Sequence, residues 1–325
     1  MLSVEQYHNQ FLDYLKNYNP PNSPSNLYEP VSYILRLKGK RIRPILTLLT
    51  CDIFNDNFKE AFDAALAVEV FHNFSLVHDD IMDEAPLRRG NETVHKKWDL
   101  STAILSGDVM LILAYQLFEN YSGETFVSLA KLFSKTAIEV CEGQQMDIDF
   151  SNTNDVSGEK YLKMIEYKTA VLLGASMKMG AIVSQASLQE QKSIYEFGRN
   201  LGMAFQIQDD FLDTFGEEEK FGKMIGGDIL ENKKTLLFIT AKELLSEKDS
   251  SRLIELYSTK SLEDDRSKIN EVKQLYNKCG IPEIMMKEIK QFTLTAFKML
   301  ENINISTEKK EFLVNFGNSL MKRNI

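Results

Sequence analysis

Cysteine, proline, glycine and positive charge are all in short supply in this chain of 325 residues. The three cysteines (Cys51, Cys141 and Cys279) are odd in number and far apart. They make neither a disulfide framework nor a zinc pattern, and a reducing cytosol is their natural setting. Of seven prolines only Pro282 lies beyond Pro86, so Leu87 to Ile281 contains none. An interior proline costs a helix ~3 kcal/mol, so that whole stretch is free to be helical. Glycine numbers only 16, and the alternation of apolar and polar residues that marks a half-buried strand is hard to find. The 38 Lys and Arg against 47 Asp and Glu leave a net charge of −9, which puts a general nucleic-acid binder at a disadvantage. No apolar run is expected to reach the ~20 residues that a bilayer span needs. The first residues, Met1 to Asn17, mix Glu5, Asp13 and Lys16 with Phe11, Tyr14 and Leu15, unlike a signal peptide. The expectation is a cytoplasmic protein with no membrane span and no nucleic-acid partner.

Helical spacing is abundant. Phe62, Leu66, Val70, Phe74, Val77 and Ile81 step by four or three and predict one apolar stripe. Leu253, Leu256, Ile269, Val272, Leu275 and Tyr276 recur among charges in the same way. Short polar clusters at Asn19 to Asn26, Ser151 to Gly158 and Gly216 to Lys220 read as connections, and no linker or repeat divides the chain. With 43% apolar residues to fill a core, the reading is an all-α, single-domain protein spanning residues 1–325.

Two strings carry the chemistry. Asp79-Asp80-Ile81-Met82-Asp83 and Asp209-Asp210-Phe211-Leu212-Asp213 both read DDxxD, and both end an apolar, helix-patterned run. Asp79 and Asp83 fall one above the other on a helix, as do Asp209 and Asp213, and like charges so placed repel unless water or a cation neutralises them. A lone DDxxD is most simply a solvated acidic face. Here His72, Ser75, Asp79 and Asp83 form one polar stripe on an otherwise apolar helix, and Gln206, Asp209 and Asp213 form another. Carboxylates on helices apolar elsewhere face an internal cavity, where they would hold Mg²⁺ with phosphate and water completing its shell. Basic residues flank both motifs: Lys40, Arg41 and Arg43 in the run from Gly39 to Pro44, then Arg88 and Arg89, Lys168, Lys223 and Lys233. Taken singly each is an ordinary surface charge; their distribution around both acidic motifs points to phosphate.

In this order the elements resemble the trans-isoprenyl diphosphate synthases of the polyprenyl synthetase family, from about Lys38 to Lys234. Gly39-Lys40 with Arg43 resembles the family's GKxxR element, His72 to Asp83 its first aspartate-rich motif, and Arg88-Arg89-Gly90 the basic element that follows. Gly143-Gln144 with Asp147 resembles GQxxD, Lys168-Thr169 the KT pair, Phe205 to Asp210 the second aspartate-rich motif, and Lys223 with Gly227-Asp228 to Lys233 the closing lysines. One departure is Lys38, where the family often has a glycine.

The resemblance implies a bundle of long helices around a central active-site cavity, usually a homodimer. It implies head-to-tail condensation of isopentenyl diphosphate with an allylic diphosphate, whether dimethylallyl, geranyl or farnesyl. Asp79, Asp83 and Asp209 would be the metal ligands, supported by Asp80, Asp210 and Asp213. Arg88, Lys168 and Lys223 would stabilise the leaving diphosphate, with Lys233 among the closing lysines. Thr169 and Gln206 would stabilise the allylic cation, and Lys40, Arg43, His72 and Arg89 would bind isopentenyl diphosphate. His78, next to Asp79, is read as structural. The large Phe74 beside the small Ser75 resembles enzymes that stop at the twenty-carbon geranylgeranyl product, with fifteen-carbon farnesyl as the near alternative. Two other classes stay in view: a terpene cyclase, which would usually lack a second DDxxD, and a non-catalytic synthase subunit, which would not need both motifs intact.

Overall fold

The computed structural model describes residues 1–151, 153, 155–216, 225–258 and 265–322. Helices dominate, as expected. In chain order the first ten are α1 (Val4–Asn17), α2 (Ser25–Arg36), α3 (Ile42–Asn55), α4 (Phe62–Met82), α5 (Val94–Lys97), α6 (Leu100–Gln116), α7 (Gly123–Ser151), α8 (Gly158–Ile165), α9 (Val171–Val183) and α10 (Leu188–Phe215). A one-turn helix follows at Gly227–Leu230, and then longer ones at Leu236–Leu244, Glu247–Leu256, Asp265–Lys278, Ile281–Met299 and Thr307–Met321. Local chemistry sets their starts. Ser3 and Gln6 form a reciprocal capping box at α1, and the side chains of Asp99, Ser157, Ser246 and Ser306 each accept an N–H of the first turn they precede. Pro44 sits in the first turn of α3, where a backbone N–H has no helical partner to lose.

The contacts group into two compact units: residues 1–135 with 175–192, and residues 136–174 with 193–325. In the first, α4 packs against α3 and α6. The sequence predicts one apolar stripe for α4, but the helix is buried almost all round, Ala64, Ala65, Ala67 and Val68 included. Its less buried positions include those of the polar stripe, His72, Ser75, Asp79 and, at the C-cap, Asp83. In the second unit α10 and α8 share a core with the C-terminal helices, centred on Ile207, Phe211, Leu237, Leu253, Val272 and Tyr276.

One expectation needs correction. Among the described residues one helical stretch, Leu100–Asn120, is long and apolar enough to cross a membrane by length and composition, with a mean hydropathy of 1.5. In the structure α6 packs on α4 and α2 and leaves Leu100, Ile104, Leu105 and Ile112 exposed. The fold is all-α as expected, with a short hairpin, Leu87–Arg88 against Asn91–Glu92, between α4 and α5. Its turn puts both Arg89 (φ 53°) and Gly90 (φ 76°) in the left-handed region that a tight two-residue hairpin demands.

Candidate active site

In the first unit the basic residues converge. Arg41 is the N-cap of α3 with φ 47°, and its side chain runs inward. It forms a buried ion pair with Glu69 of α4 and donates to the carbonyls of Leu35 (2.7 Å) and Leu37 (2.6 Å). Asn73 donates to Glu69 Oε1 from the next turn of α4 (2.8 Å). This network fixes the loop that ends in Lys40 and the first turn that carries Arg43. From the hairpin, Arg89 lays its guanidinium on Gly39, where a Cβ would stand 2.9 Å from its Cζ and Nη1. A side chain at residue 39 would therefore push Arg89 away.

Arg41, Arg43, Arg88 and Arg89 all act on His72. Burial lowers the Arg43 pKa to about 10, with Arg89 adding to the fall and Glu69 opposing it. Burial, then Arg43 and Arg89, pushes the His72 pKa well below its ordinary value. Its Nε2 lies 3.2 Å from Nη1 of Arg43, so a neutral imidazole accepts from that guanidinium. A cluster in which cations depress one another is prepared for an anion.

At the end of α4, Asp79 is half-buried and Asp83, the C-cap, is exposed. Asp80 is different: it is buried, and its Oδ1 accepts from Nε (2.9 Å) and Nη2 of Arg88. Burial raises its pKa, with Arg88 opposing. Arg88 thus holds a carboxylate of the first motif. Phe74 is buried against Phe71 (ring centroids 5.5 Å) and His78 (4.8 Å), while the hydroxyl of Ser75 donates to the carbonyl of His72 (2.9 Å). A larger cavity of about 1580 Å³ opens against α1 and α2 and touches Gly39 and Arg41, but Lys40, Arg43, His72 and Asp79 are not among its lining.

The second unit holds a smaller pocket of about 210 Å³. Asp147, Asp209, Asp210, Asp213 and Asp228 line it together with Lys168, Lys233, Lys234, Thr169 and Gln206. Lys168 and Thr169 lie in a π-helical turn, Glu166–Ala170, between α8 and α9, the kind of irregularity that re-aims side chains at functional sites. Gly143 of α7 is what lets that turn approach, because a Cβ there would drive into the backbone N of Lys168. Lys168 Nζ then reaches Asp147 one helical turn further along α7 (2.5 Å).

Across the pocket, the Thr169 hydroxyl donates to Gln206 Oε1 (3.1 Å), and Gln206 Nε2 donates to Asp210 Oδ1 (3.0 Å). The Tyr161 hydroxyl donates to Asp210 Oδ2 (2.5 Å). With both oxygens occupied, Asp210 orders its neighbours, while Asp209 and Asp213 remain half-buried at the pocket wall. Asp213 accepts backbone N–H groups of Gly226 through its carbonyl and of Asp228 through Oδ2 (2.9 Å), which ties α10 to the next helix. Burial raises the pKa of Asp228, and Lys233, 3.4 Å away, opposes that rise. Lys233 also pairs with Glu231 (2.8 Å); burial pulls its pKa down, but Asp228 and Glu231 outweigh burial. Lys223 lies outside the described residues.

The family model for polyprenyl synthetases matches residues 24–279. The chain belongs to the polyprenyl synthetase family. Geranylgeranyl pyrophosphate synthase of Geoglobus acetivorans is 35% identical over 302 residues, 92% of each chain. A crystal structure of a geranylgeranyl pyrophosphate synthase superposes with a TM-score of 0.95 at 46% identity, covering 100% of both chains. A third structure, geranylgeranyl pyrophosphate synthase from Corynebacterium glutamicum complexed with isoprenyl diphosphate and magnesium, shares the fold (TM-score 0.82) at 24% identity, covering 99% of this chain and 98% of its own. As a polyprenyl synthetase, the chain is a prenyltransferase of the isoprenyl diphosphate synthase type.

Several residues of this site escape sequence reading. Glu69 carried a signal, a lone acid between Val68 and Val70 in an apolar run, which must be paired if buried. Tyr161 carried none, and although Asp228 lies in the run that resembles the closing lysines, nothing local says that either residue meets the second motif.

Proposed function

We propose that this prenyltransferase is a single catalytic domain that condenses isopentenyl diphosphate with an allylic diphosphate and releases geranylgeranyl diphosphate. The observation that carries the reading is the pocket of the second unit. Thr169 and Gln206 set oxygen dipoles beside lysines and an excess of carboxylates, which suits a metal-bound diphosphate leaving from a carbocation. Lys40, Arg43, His72 and Arg89 would bind isopentenyl diphosphate, and the clustered arginines support that assignment. Lys168, with Lys233, would offset the charge of the leaving diphosphate.

The donor set fits Mg²⁺. Among the described residues no three His, Cys, Asp or Glu side chains converge as a cage. A hard cation held by one or two carboxylates, with phosphate and water, needs no cage. Asp79 and Asp83 in the first unit, and Asp209 in the second, would hold such ions; Asp80 and Asp210, each tied to a donor, would support them. When bound, the ion supplies positive charge that favours departure of the diphosphate.

A homodimer is part of the proposal. The exposed row Leu100, Ile104, Leu105 and Ile112 along α6 is an apolar face that a second copy would cover. Among the described residues the three cysteines form no disulfide, which supports a cytoplasmic setting. The test is product analysis by mass spectrometry with isopentenyl diphosphate, Mg²⁺ and dimethylallyl, geranyl or farnesyl diphosphate in turn. A twenty-carbon product from each primer is expected. A fifteen-carbon product with farnesyl diphosphate refused would make the chain a farnesyl synthase. No condensation from any primer would overturn the proposal.

A further inference from the structure

We propose that Tyr161 is a positioning residue that acts through Asp210 to fix which way the Gln206 amide points. The chain of hydrogen bonds has one consistent direction. The Tyr161 hydroxyl donates to Oδ2 of Asp210 at 2.5 Å, and Tyr161 is only 5% exposed. The other carboxylate oxygen, Oδ1, accepts from Nε2 of Gln206 at 3.0 Å. A carboxylate only accepts, so the atom of Gln206 that faces it must be the NH₂. The carbonyl oxygen of Gln206 is thereby turned the other way, to where the Thr169 hydroxyl donates to it at 3.1 Å. Without Asp210 held as an acceptor, the amide is free to rotate by half a turn and present N–H groups instead. For a developing allylic cation that exchange matters, because a carbonyl oxygen attracts positive charge and an N–H repels it.

Tyr161 comes from α8, one turn before the π-helical segment that carries Thr169. The same short stretch of chain therefore places Thr169 and fixes the acceptor that orders its partner. The inference rests on the reading that Thr169 and Gln206 face the cation.

The experiment is steady-state kinetics on the full-length enzyme with Tyr161→Phe, Gln206→Ala, the double variant, and Asp210→Asn. The wild-type rate alone tests the condensation reading; the ratios between variants test this one. Tyr161→Phe is expected to lower kcat about tenfold or more, as removal of an oriented dipole does, with the KM of both diphosphates and the half-saturating Mg²⁺ concentration unchanged. In the Gln206→Ala background the same change should add no further loss. Asp210→Asn is nearly isosteric, and with its oxygen toward Tyr161 its NH₂ would face Gln206 and reverse that amide. Its kcat should fall as far as that of Gln206→Ala. If Tyr161→Phe does not fold, the Asp210→Asn comparison decides alone. Losses that multiply in the double variant, a rise in KM in place of a fall in kcat, or a wild-type kcat in Asp210→Asn would each overturn the proposal.

Discussion

The Nη1 of Arg43 stands 3.2 Å from Nε2 of His72, a cation presented to an imidazole that stays neutral because burial and its arginine neighbours oppose protonation. In the unfolded chain His72 regains its ordinary pKa near 6.5, so below that pH the unfolded state takes up a proton that the folded state refuses. Stability must then fall as the pH falls, at ~1.4 kcal/mol per pH unit for this group below ~6.5. Urea unfolding at pH 7, 6 and 5 measures it. The wild type should lose stability faster than His72→Gln across that range, and parallel curves would show that His72 titrates normally.

The ion pair between Arg41 and Glu69 is inside the protein, and its loss should cost accordingly. Both side chains are 2% exposed. Glu69→Ala leaves the guanidinium buried without its counter-charge and removes one of the two acceptors of Asn73, and losing one partner of a buried pair costs ~3–5 kcal/mol. Because Arg41 also grips the carbonyls of Leu35 and Leu37, the loop bearing Lys40 should loosen. Differential scanning calorimetry should show a large drop in Tm, and the KM for isopentenyl diphosphate should rise more than that for the allylic substrate. Equal changes in both would detach Arg41 from the proposed anion site.

Product length should respond to Phe74. Its ring is buried between Phe71 and His78, and truncation leaves a void of side-chain size in front of Phe71. Phe74→Ala is expected to yield products longer than twenty carbons, read by mass spectrometry after dephosphorylation. An unchanged product would remove Phe74 as the floor. Truncation should also destabilise the protein by ~3–5 kcal/mol, so the assay belongs well below the variant's Tm.

Helix positions and polar stripes were legible because they are local. The spacing of His72, Ser75, Asp79 and Asp83 picks out the less buried edge of α4, and the capping residues announce several helix starts. What could not be read depends on contacts between distant segments. Asp80 and Asp83 look alike in sequence, yet one is buried under Arg88 and the other is exposed, a difference set by a hairpin that no periodicity marks. Likewise Lys168 and Thr169 fit a helical pattern, and only the packing of α7 explains why their turn is wider than a regular one. The apolar reach of α6 is hard to read for another reason: its apolar residues serve both the core and an exposed face.

Gly143 offers the sharpest separation of backbone from side-chain effects in the second unit. A methyl group at residue 143 meets backbone, N of Lys168 and C of Tyr167, and backbone within a helical stretch yields less readily than a side-chain tip. Gly143→Ala should therefore displace the π-helical turn, and with it the aim of both Lys168 and Thr169. The strain is expected to cost ~1–3 kcal/mol of stability, the usual range for overpacking. Asp147→Asn makes the complementary change. It leaves the backbone alone and removes only the charge that Lys168 pairs with, a bridge about 30% exposed on each side and so worth no more than ~1 kcal/mol. Gly143→Ala should then lose both Tm and kcat, whereas Asp147→Asn should keep its Tm and lose kcat. If Gly143→Ala kept the wild-type kcat while its Tm fell, the π-helical turn would be tolerant of displacement and the aim of Lys168 would have to be set by Asp147 alone.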